Sequence, residues 1–146
     1  MNGEAAGWLE DRVHVFPLRV YYEDTDALGY VYYATYLNYV ERARTELLRT
    51  LGIEQTRLRA ETGAVFVVRR AEIDYRKPAR LDDRLEVRSR LTRLAAAFIE
   101  AEQTVARAGE PLAEIRVTIA CLGPRGRPVR LPLSVRDALS PLVQPS

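Results

Sequence analysis

Apolar residues recur along this chain with two different periods. Within residues 33–51 they follow steps of four, three, four and four, which fits the 3.6-residue period of an α-helix. The positions are Tyr36, Val40, Ala43, Leu47 and Leu51. Gly52 comes next, and glycine is common just past the C-terminus of a helix. The spacing therefore predicts a long amphipathic helix over residues 33–51.

Elsewhere the chain alternates between apolar and polar residues, which is typical of half-buried strands. In residues 84–94, for example, Leu85, Val87 and Leu91 lie on one face with Ser89. Pro17 interrupts the first such segment and indicates an edge position or a bulge. The predicted strands are 13–22, 64–77, 84–94, 95–106 and 112–122, with short helices at 53–61 and 133–142 and a loop at 123–128.

The order of these elements is one strand, one long helix and then four consecutive strands. Strands joined by short turns pair antiparallel, and one helix can cover one face of such a sheet. The prediction is an α+β domain with a sheet of about five strands. Without an internal repeat or linker, we expect a single domain over residues 1–146, with a loose leader at 1–11 and a C-terminal loop and short helix at 123–146.

Composition narrows the function class. The 146 residues suit one domain with a hydrophobic core. Twenty-two basic and 20 acidic residues give a net charge of only +2, which argues against a dedicated nucleic-acid binder. The single cysteine, Cys121, excludes an intramolecular disulfide and suits a reducing, cytoplasmic compartment. The N-terminus does not resemble a signal peptide, and no apolar run is long enough to span a bilayer.

The single histidine, His14, limits the possible chemistry further. It rules out a metal site built from several histidines, and it disfavours a Ser-His-Asp triad. Since His14 lies in an early strand, far in sequence from the acidic residues below, we expect it to have a structural or surface role.

A turn with two carboxylates, Asp24 and Asp26, lies between the first strand and the long helix. Aspartate is common in turns, so this pattern alone is also consistent with a purely structural turn. Gly29 indicates a tight bend or the close approach of a ligand. The helix that follows offers free backbone N–H groups and the positive end of its dipole, which can stabilise an oxyanion.

Hydrolysis of a thioester suits such a site. A thiol has a pKa of about 8.5, so it departs as a thiolate with little help from a general acid. The remaining tasks are activation of water, or direct attack, and stabilisation of the tetrahedral oxyanion. One carboxylate and one or two backbone N–H groups can perform both.

Four segments resemble one enzyme family. They are YEDTDALGYVYYATY at residues 22–36, ERARTE at 41–46, FVVRR at 66–70 and YRKPARLDD at 75–83. Together they resemble the hotdog-fold acyl-CoA thioesterases of the 4-hydroxybenzoyl-CoA thioesterase class, and within it the YbgC-like branch. The resemblance implies a long central helix wrapped by a curved antiparallel sheet. It also implies homodimers or homotetramers with active sites at subunit interfaces.

The resemblance also implies roles for individual residues. Asp26 is the catalytic carboxylate, as general base or nucleophile, and the backbone N–H of Tyr33 polarises the thioester carbonyl. Asp24 orders the turn, while Glu41 has either a structural ion pair or a supporting role in the site. The residues implied at the substrate entrance are Gly29, Tyr30 and Tyr32.

The negative phosphates of coenzyme A call for basic side chains near the mouth of the site. The candidates are Arg69, Arg70, Arg76 and Lys77, followed by Arg80, Arg125, Arg127 and Arg130. No metal or cofactor is expected, because coenzyme A is part of the substrate. Relatives of the YbgC type often carry histidine at the position of Tyr33, whereas the aromatic-acyl branch carries tyrosine. A short-chain or aromatic acyl group is therefore the expected substrate.

Two alternatives to this hypothesis stay open. A hotdog dehydratase or hydratase pairs a histidine with an acid, and the lone His14 lies outside the motif. A non-catalytic hotdog module would bind acyl groups or partner proteins without turnover, and the intact Asp26 disfavours it.

Overall fold

The two periods of the sequence correspond to one sheet and one long helix in the computed structural model, which describes residues 6–145. The strands are β1 (Trp8–Glu10), β2 (Val13–Arg19), β3 (Val65–Tyr75), β4 (Arg84–Leu94), β5 (Phe98–Arg107) and β6 (Glu110–Leu122). The helices are α1 (Thr35–Thr50), α2 (Gln55–Thr62) and α3 (Leu133–Leu139). Single 3₁₀ turns lie at Tyr22–Asp24 and Ser140–Leu142.

All six strands belong to one antiparallel sheet with the order β1-β2-β4-β5-β6-β3. The two edges differ greatly in length. The β1 edge has 3 residues, whereas the β3 edge has 11. Bulges interrupt the pairing after Val68 in β3 and after Leu91 in β4. Bulges bend strands, which suits a sheet that curves around a helix.

The predicted helical stripe packs on this sheet. Tyr36, Val40, Ala43 and Leu47 are buried, as their spacing indicates. Helix α1 lies across the inner face of β2, β4 and β5. The alternation in β4 is also confirmed, because its inward side chains, from Leu85 to Leu91, are buried. The result is the α+β hotdog arrangement predicted above, with a core between one helix and one face of the sheet.

Four predictions need correction. The leader is not loose where it is described, because Trp8–Glu10 forms β1 against Val13–Val15 of β2, while residues 1–5 lie outside the described part. This extra strand makes the sheet six-stranded rather than five-stranded. Strand β2 ends at Arg19 rather than at residue 22, which is the third correction. Its neighbour β1 stops short of Pro17, so the proline lies on an edge as predicted.

The fourth correction concerns where α1 begins. It starts at Thr35, two residues later than predicted, because the Thr35 N–H bonds the carbonyl of Tyr32 in a turn that precedes the helix. Gly52 follows the helix with a φ of 81°, in the left-handed region that favours glycine. None of the helices in residues 6–145 combines the length and the apolarity that crossing a membrane requires.

Two further predictions concern single residues. Cys121 is fully buried in β6, and burial raises the pKa of its thiol. His14 is fully buried in β2, where its Nε2 lies 2.9 Å from the carbonyl oxygen of Ala6 and 3.2 Å from Thr50 Oγ1. Its role is therefore structural, since it links β2 to the start of the described chain and to the last turn of α1.

Candidate active site

Residues 24–32 form a tight hairpin, here called the acidic hairpin. Thr25 and Val31 make an antiparallel bridge. Beyond it, the Asp26 N–H donates to the carbonyl of Tyr30 at 2.8 Å, and the Gly29 N–H donates to the carbonyl of Asp26 at 3.1 Å. These bonds fix the Asp26 backbone at the closed end of the hairpin, nine residues before α1 begins at Thr35.

The Asp26 side chain is held by the backbone that follows it. Its Oδ1 accepts hydrogen bonds from the N–H groups of Leu28 at 2.9 Å and Tyr30 at 3.1 Å. Its Oδ2 has no hydrogen-bond partner among residues 6–145, and the side chain is exposed in the single chain. The carboxylate is thus oriented through one oxygen, while the other is available for chemistry.

Asp24, two residues earlier, is in a different environment. It is only 9% exposed, and its Oδ2 accepts the Tyr21 N–H at 2.9 Å. Burial of Tyr39, together with the nearby Asp24 carboxylate, raises the pKa of the Tyr39 hydroxyl. Asp24 is therefore committed to the structure of the turn, which matches the role the resemblance implies for it.

Gly29 is required by the backbone. Its φ is 81°, in the left-handed region that L side chains rarely adopt. No heavy atom lies within 4 Å of the position that a Cβ would occupy there. Of the two explanations offered by the sequence, the tight bend is therefore the one that the geometry requires.

The start of α1 follows the acidic hairpin directly. Within residues 6–145, the backbone N–H groups of Tyr33 and Ala34 donate to no protein acceptor. They lie at the N-terminal end of a 16-residue helix, where the dipole is positive. The Tyr33 ring packs 4.7 Å from the Tyr32 ring and is 63% exposed, so this end of the helix presents an open aromatic surface.

Tyr75, which the sequence analysis did not single out, anchors this region to the sheet. Its hydroxyl donates to the carbonyl of Tyr33 at 2.9 Å. Its ring makes edge contacts with Tyr33 and with the buried Tyr36, at centroid distances of 6.5 and 5.5 Å. The last residue of β3 is thus tied to the start of α1, a contact that only the tertiary fold creates.

Most of the basic residues proposed to bind coenzyme A form ion pairs with acidic side chains. Arg70 pairs with Glu72, Arg76 with Glu114 and Lys77 with Glu110, and Arg69 lies over the ring of Phe98. None of these four side chains contacts the acidic hairpin within the described chain.

Arg80 behaves differently from those four residues. It forms an isolated bridge with Tyr30, and its guanidinium carbon lies 5.5 Å from the centre of the Tyr30 ring. It therefore adds a positive charge to the hairpin itself.

A cavity of about 350 Å³ lies elsewhere in the chain, between α1 and the β3 and β6 side of the sheet. We call it the helix–sheet cavity. Arg44 and Ser89 are polar residues of its wall, and the acidic hairpin does not line it. The structure therefore brings Asp26, Gly29 and Tyr30 together in one hairpin, but it does not place them at this cavity within one protomer.

The described residues contain no cluster of three or more His, Cys, Asp or Glu side chains placed to hold a metal ion. The arrangement offers a fixed carboxylate, unpaired N–H groups at a helix start and an aromatic surface. Such a set can activate water or attack a carbonyl carbon, and can stabilise the resulting oxyanion.

Comparison with known proteins agrees with this chemistry. The sequence model of the Thioesterase superfamily matches residues 28–114. The acyl-CoA thioesterase YbgC of Haemophilus influenzae is 46% identical over 125 residues, which cover 84% of this chain and 91% of that protein. The 1,4-dihydroxy-2-naphthoyl-CoA hydrolase of Synechococcus elongatus is 32% identical over 114 residues, covering 77% and 83%.

Among solved structures, a probable thioesterase from Bartonella henselae superposes with a TM-score of 0.79 at 39% identity. The match covers 82% of this chain and 99% of that one. Both the family match and the identities extend over most of the sheet and helix described above. The chain belongs to the thioesterase superfamily.

Proposed function

We propose that this chain hydrolyses acyl-CoA thioesters, with Asp26 as the catalytic carboxylate and the Tyr33 backbone N–H as an oxyanion donor. The observation that carries the proposal is the asymmetry of the Asp26 carboxylate, whose Oδ1 is held by two N–H groups while Oδ2 has no partner among residues 6–145. The two sequence relatives, an acyl-CoA thioesterase and an acyl-CoA hydrolase, support the same reaction.

The reaction requires few groups. Oδ2 of Asp26 either removes a proton from water or attacks the thioester carbonyl carbon. The carbonyl oxygen becomes negative, and the free N–H groups of Tyr33 and Ala34 are placed at the helix end that stabilises such charge. Coenzyme A leaves as a thiolate. We propose that no metal or cofactor takes part, so treatment with a chelator leaves the rate unchanged.

We further propose that a second copy of the chain completes the site. Strand β3 is 11 residues long, and no strand of residues 6–145 pairs with its outer edge. Val67 and Val68 of β3 are 44% and 43% exposed. A long unpaired edge with exposed apolar residues is a template for pairing with another strand. Two copies joined by a two-fold axis at this edge would form one continuous antiparallel sheet.

Such pairing would bring the two parts of the site together. In an antiparallel pair, the first half of one β3 lies beside the second half of the other. Val67 and Val68 line the helix–sheet cavity, whereas Tyr75 contacts Tyr33. Pairing therefore places the cavity of one protomer near the acidic hairpin of its partner. A homodimer is the minimal active unit, and a homotetramer would contain two such pairs.

We also propose a substrate preference and a compartment. The cavity of about 350 Å³ is at the small end for ligand pockets, which supports a short-chain or aromatic acyl group. Arg80, beside Tyr30, is a candidate for the coenzyme A phosphates together with Arg69, Arg70, Arg76 and Lys77. The lone buried Cys121 suits the cytoplasm, which we propose as the compartment.

Thiol release from acetyl-, hexanoyl-, benzoyl- and palmitoyl-CoA tests the activity directly. We expect turnover of short or aromatic substrates by the wild-type protein and loss of turnover in Asp26→Asn. Binding of these thioesters without any turnover would instead identify a non-catalytic acyl-binding module. Full activity of Asp26→Asn would exclude the proposed role of this carboxylate.

A further inference from the structure

The helix–sheet cavity results from where α1 lies on the sheet. The helix makes its main sheet contacts with β2, β4 and β5, and the cavity lies beside these contacts, lined by residues of β3, β4, β5 and β6. Most of the cavity wall is aliphatic or aromatic, including Leu48, Phe66, Ile99 and Ile119. An apolar cavity with a few fixed polar groups is typical of a small-molecule site.

Arg44 is the only basic residue of this wall. Its Nη1 donates to Gln103 Oε1 at 2.9 Å. Within residues 6–145 its other N–H groups have no acceptor, and no carboxylate oxygen lies within 4.0 Å of the guanidinium. A guanidinium carries five N–H donors, so most of the hydrogen-bond donors of Arg44 have no partner among the described residues. Burial lowers the pKa of Arg44, the expected response of a desolvated cation without an acidic partner.

A buried network fixes the position of Arg44. Gln103 is fully buried, and its Nε2 donates to the Val40 carbonyl and to Ser89 Oγ at 2.9 Å each. Both amide donors are thereby used, and the amide oxygen is left to accept from Arg44. The guanidinium is therefore held by a neutral group whose orientation cannot change without breaking two buried hydrogen bonds.

Glu41, one turn earlier on α1, also lines the cavity but does not neutralise Arg44. Its side chain is exposed, and it borders a second groove, here called the outer groove, which lies between α1 and Phe16 of β2 and is also lined by Arg42. It affects Arg44 only by electrostatic attraction, which raises the pKa of Arg44 and so opposes the effect of burial. The cavity thus combines an apolar wall with one fixed positive charge that lacks a contacting acid.

We propose that the helix–sheet cavity takes a short acyl group whose far end carries a carboxylate, and that Arg44 binds this carboxylate. The inference rests on the proposed thioesterase function and specifies its substrate class. A carboxylate satisfies the planar guanidinium with two parallel, charge-assisted hydrogen bonds. The methylene groups of the acyl chain contact the apolar wall, and the thioester remains at the cavity end that borders β3.

The test compares glutaryl-CoA with pentanoyl-CoA, which have acyl chains of equal length that end in a carboxylate or a methyl group. We expect the wild-type kcat/KM for glutaryl-CoA to be higher by roughly tenfold or more, since a hydrogen bond to a charged group is worth that much. Arg44→Met removes the preference for glutaryl-CoA, and circular dichroism reports whether the variant is folded. The glutaryl-CoA effect falls mainly on KM.

Arg42→Met is the matched control. Arg42 lies on the same helix, is exposed, and lines the outer groove rather than the cavity. Its substitution should leave both rates unchanged. Arg44→Lys keeps the charge but cannot form the bidentate hydrogen bonds, so it should retain only part of the preference that Arg44→Met loses.

Calorimetry with the monoamide of glutaric acid and with pentanamide gives a readout that does not depend on turnover. Both ligands carry a neutral amide where the thioester stands, and only the glutaric monoamide carries a carboxylate at the far end. We expect the glutaric monoamide to bind the wild-type protein more tightly than pentanamide and to lose this advantage in Arg44→Met. Equal rates for the two thioesters and equal binding of the two amides would overturn the inference while the thioesterase function stands. Turnover of neither thioester would overturn the proposed function, whereas Arg44-dependent binding of the glutaric monoamide would still support the site.

Discussion

The acidic hairpin and the helix–sheet cavity have opposite properties. The hairpin exposes a carboxylate and aromatic rings to solvent and encloses little volume. The cavity has a mostly apolar wall, and its fixed charge is the positive Arg44. A catalytic carboxylate needs access to water and to the thioester, whereas acyl selection needs an enclosed apolar wall. In the proposed enzyme the two regions therefore divide the work, and they would meet only in a pair of protomers.

The strongest test of this division compares the two aspartates of the hairpin. Asp26→Asn should lower thiol release by about 10³-fold, within the usual range for loss of a catalytic acid or base. The asparagine oxygen can still accept the Leu28 and Tyr30 N–H groups, so the fold should persist. Asp24→Asn should stay within a few-fold of wild type, because an amide oxygen can still accept the Tyr21 N–H. Equal losses in both variants would contradict the assignment.

Separating the protomers should disconnect the two regions. Val67→Lys places a charge on the exposed β3 edge, and charged side chains on an edge oppose strand pairing. We expect light scattering to show the 16.6 kDa monomer and the activity to be lost in parallel. Leu9→Lys is the control on the opposite edge, where the exposed fraction is similar. A monomeric variant with full activity would show that one protomer holds a complete site.

A smaller effect is expected where the start of α1 is anchored to the loop between β3 and β4. The Tyr36 hydroxyl accepts the N–H of fully buried Ala79 at 3.1 Å. Tyr36→Phe leaves that donor unpaired and should lower the free energy of unfolding by about 1–3 kcal/mol. Urea unfolding measures the loss. Tyr22→Phe, at an 81% exposed position, should cause no change.

The smallest effect concerns pH, and it should alter stability without altering the chemistry of either region. Burial lowers the pKa of His14 below its ordinary value. Between the two values the unfolded state binds more protons, so stability should fall as the pH drops from about 7 to about 5. In His14→Gln the melting temperature should depend less on pH over this range. An unchanged dependence would show that other groups cause it.

The local patterns of the sequence were enough to predict an α+β domain with one long helix on an antiparallel sheet, and the family resemblance implied its hotdog form. The buried stripe on α1 and the alternation in β4 are both confirmed, because each depends on neighbours within the same element. Strand β1 was missed since three residues, Trp8–Glu10, are too few for an alternation to be visible. The late start of α1 reflects a hydrogen-bonded turn at Tyr32 that the apolar period does not reveal.

The site was predictable only in part, for similar reasons. The Asp-Thr-Asp turn and the glycine bend are local, so the sequence pointed to the hairpin directly. The ion pairs of Arg76 with Glu114 and Lys77 with Glu110 depend on strand register, which a sequence does not display. The cavity depends on where α1 rests on the sheet. Arg44 did carry a signal, since it follows buried Val40 by four residues on the apolar side of the helix.

A crystal structure of Asp26→Asn with a bound hexanoyl-CoA would test the central claim most directly. The account predicts a dimer in which the thioester carbonyl oxygen accepts the Tyr33 N–H, with the side chain at position 26 beside the carbonyl carbon. The acyl chain would extend into the helix–sheet cavity of the adjoining protomer. A thioester bound away from position 26, or an acyl chain outside that cavity, would contradict it.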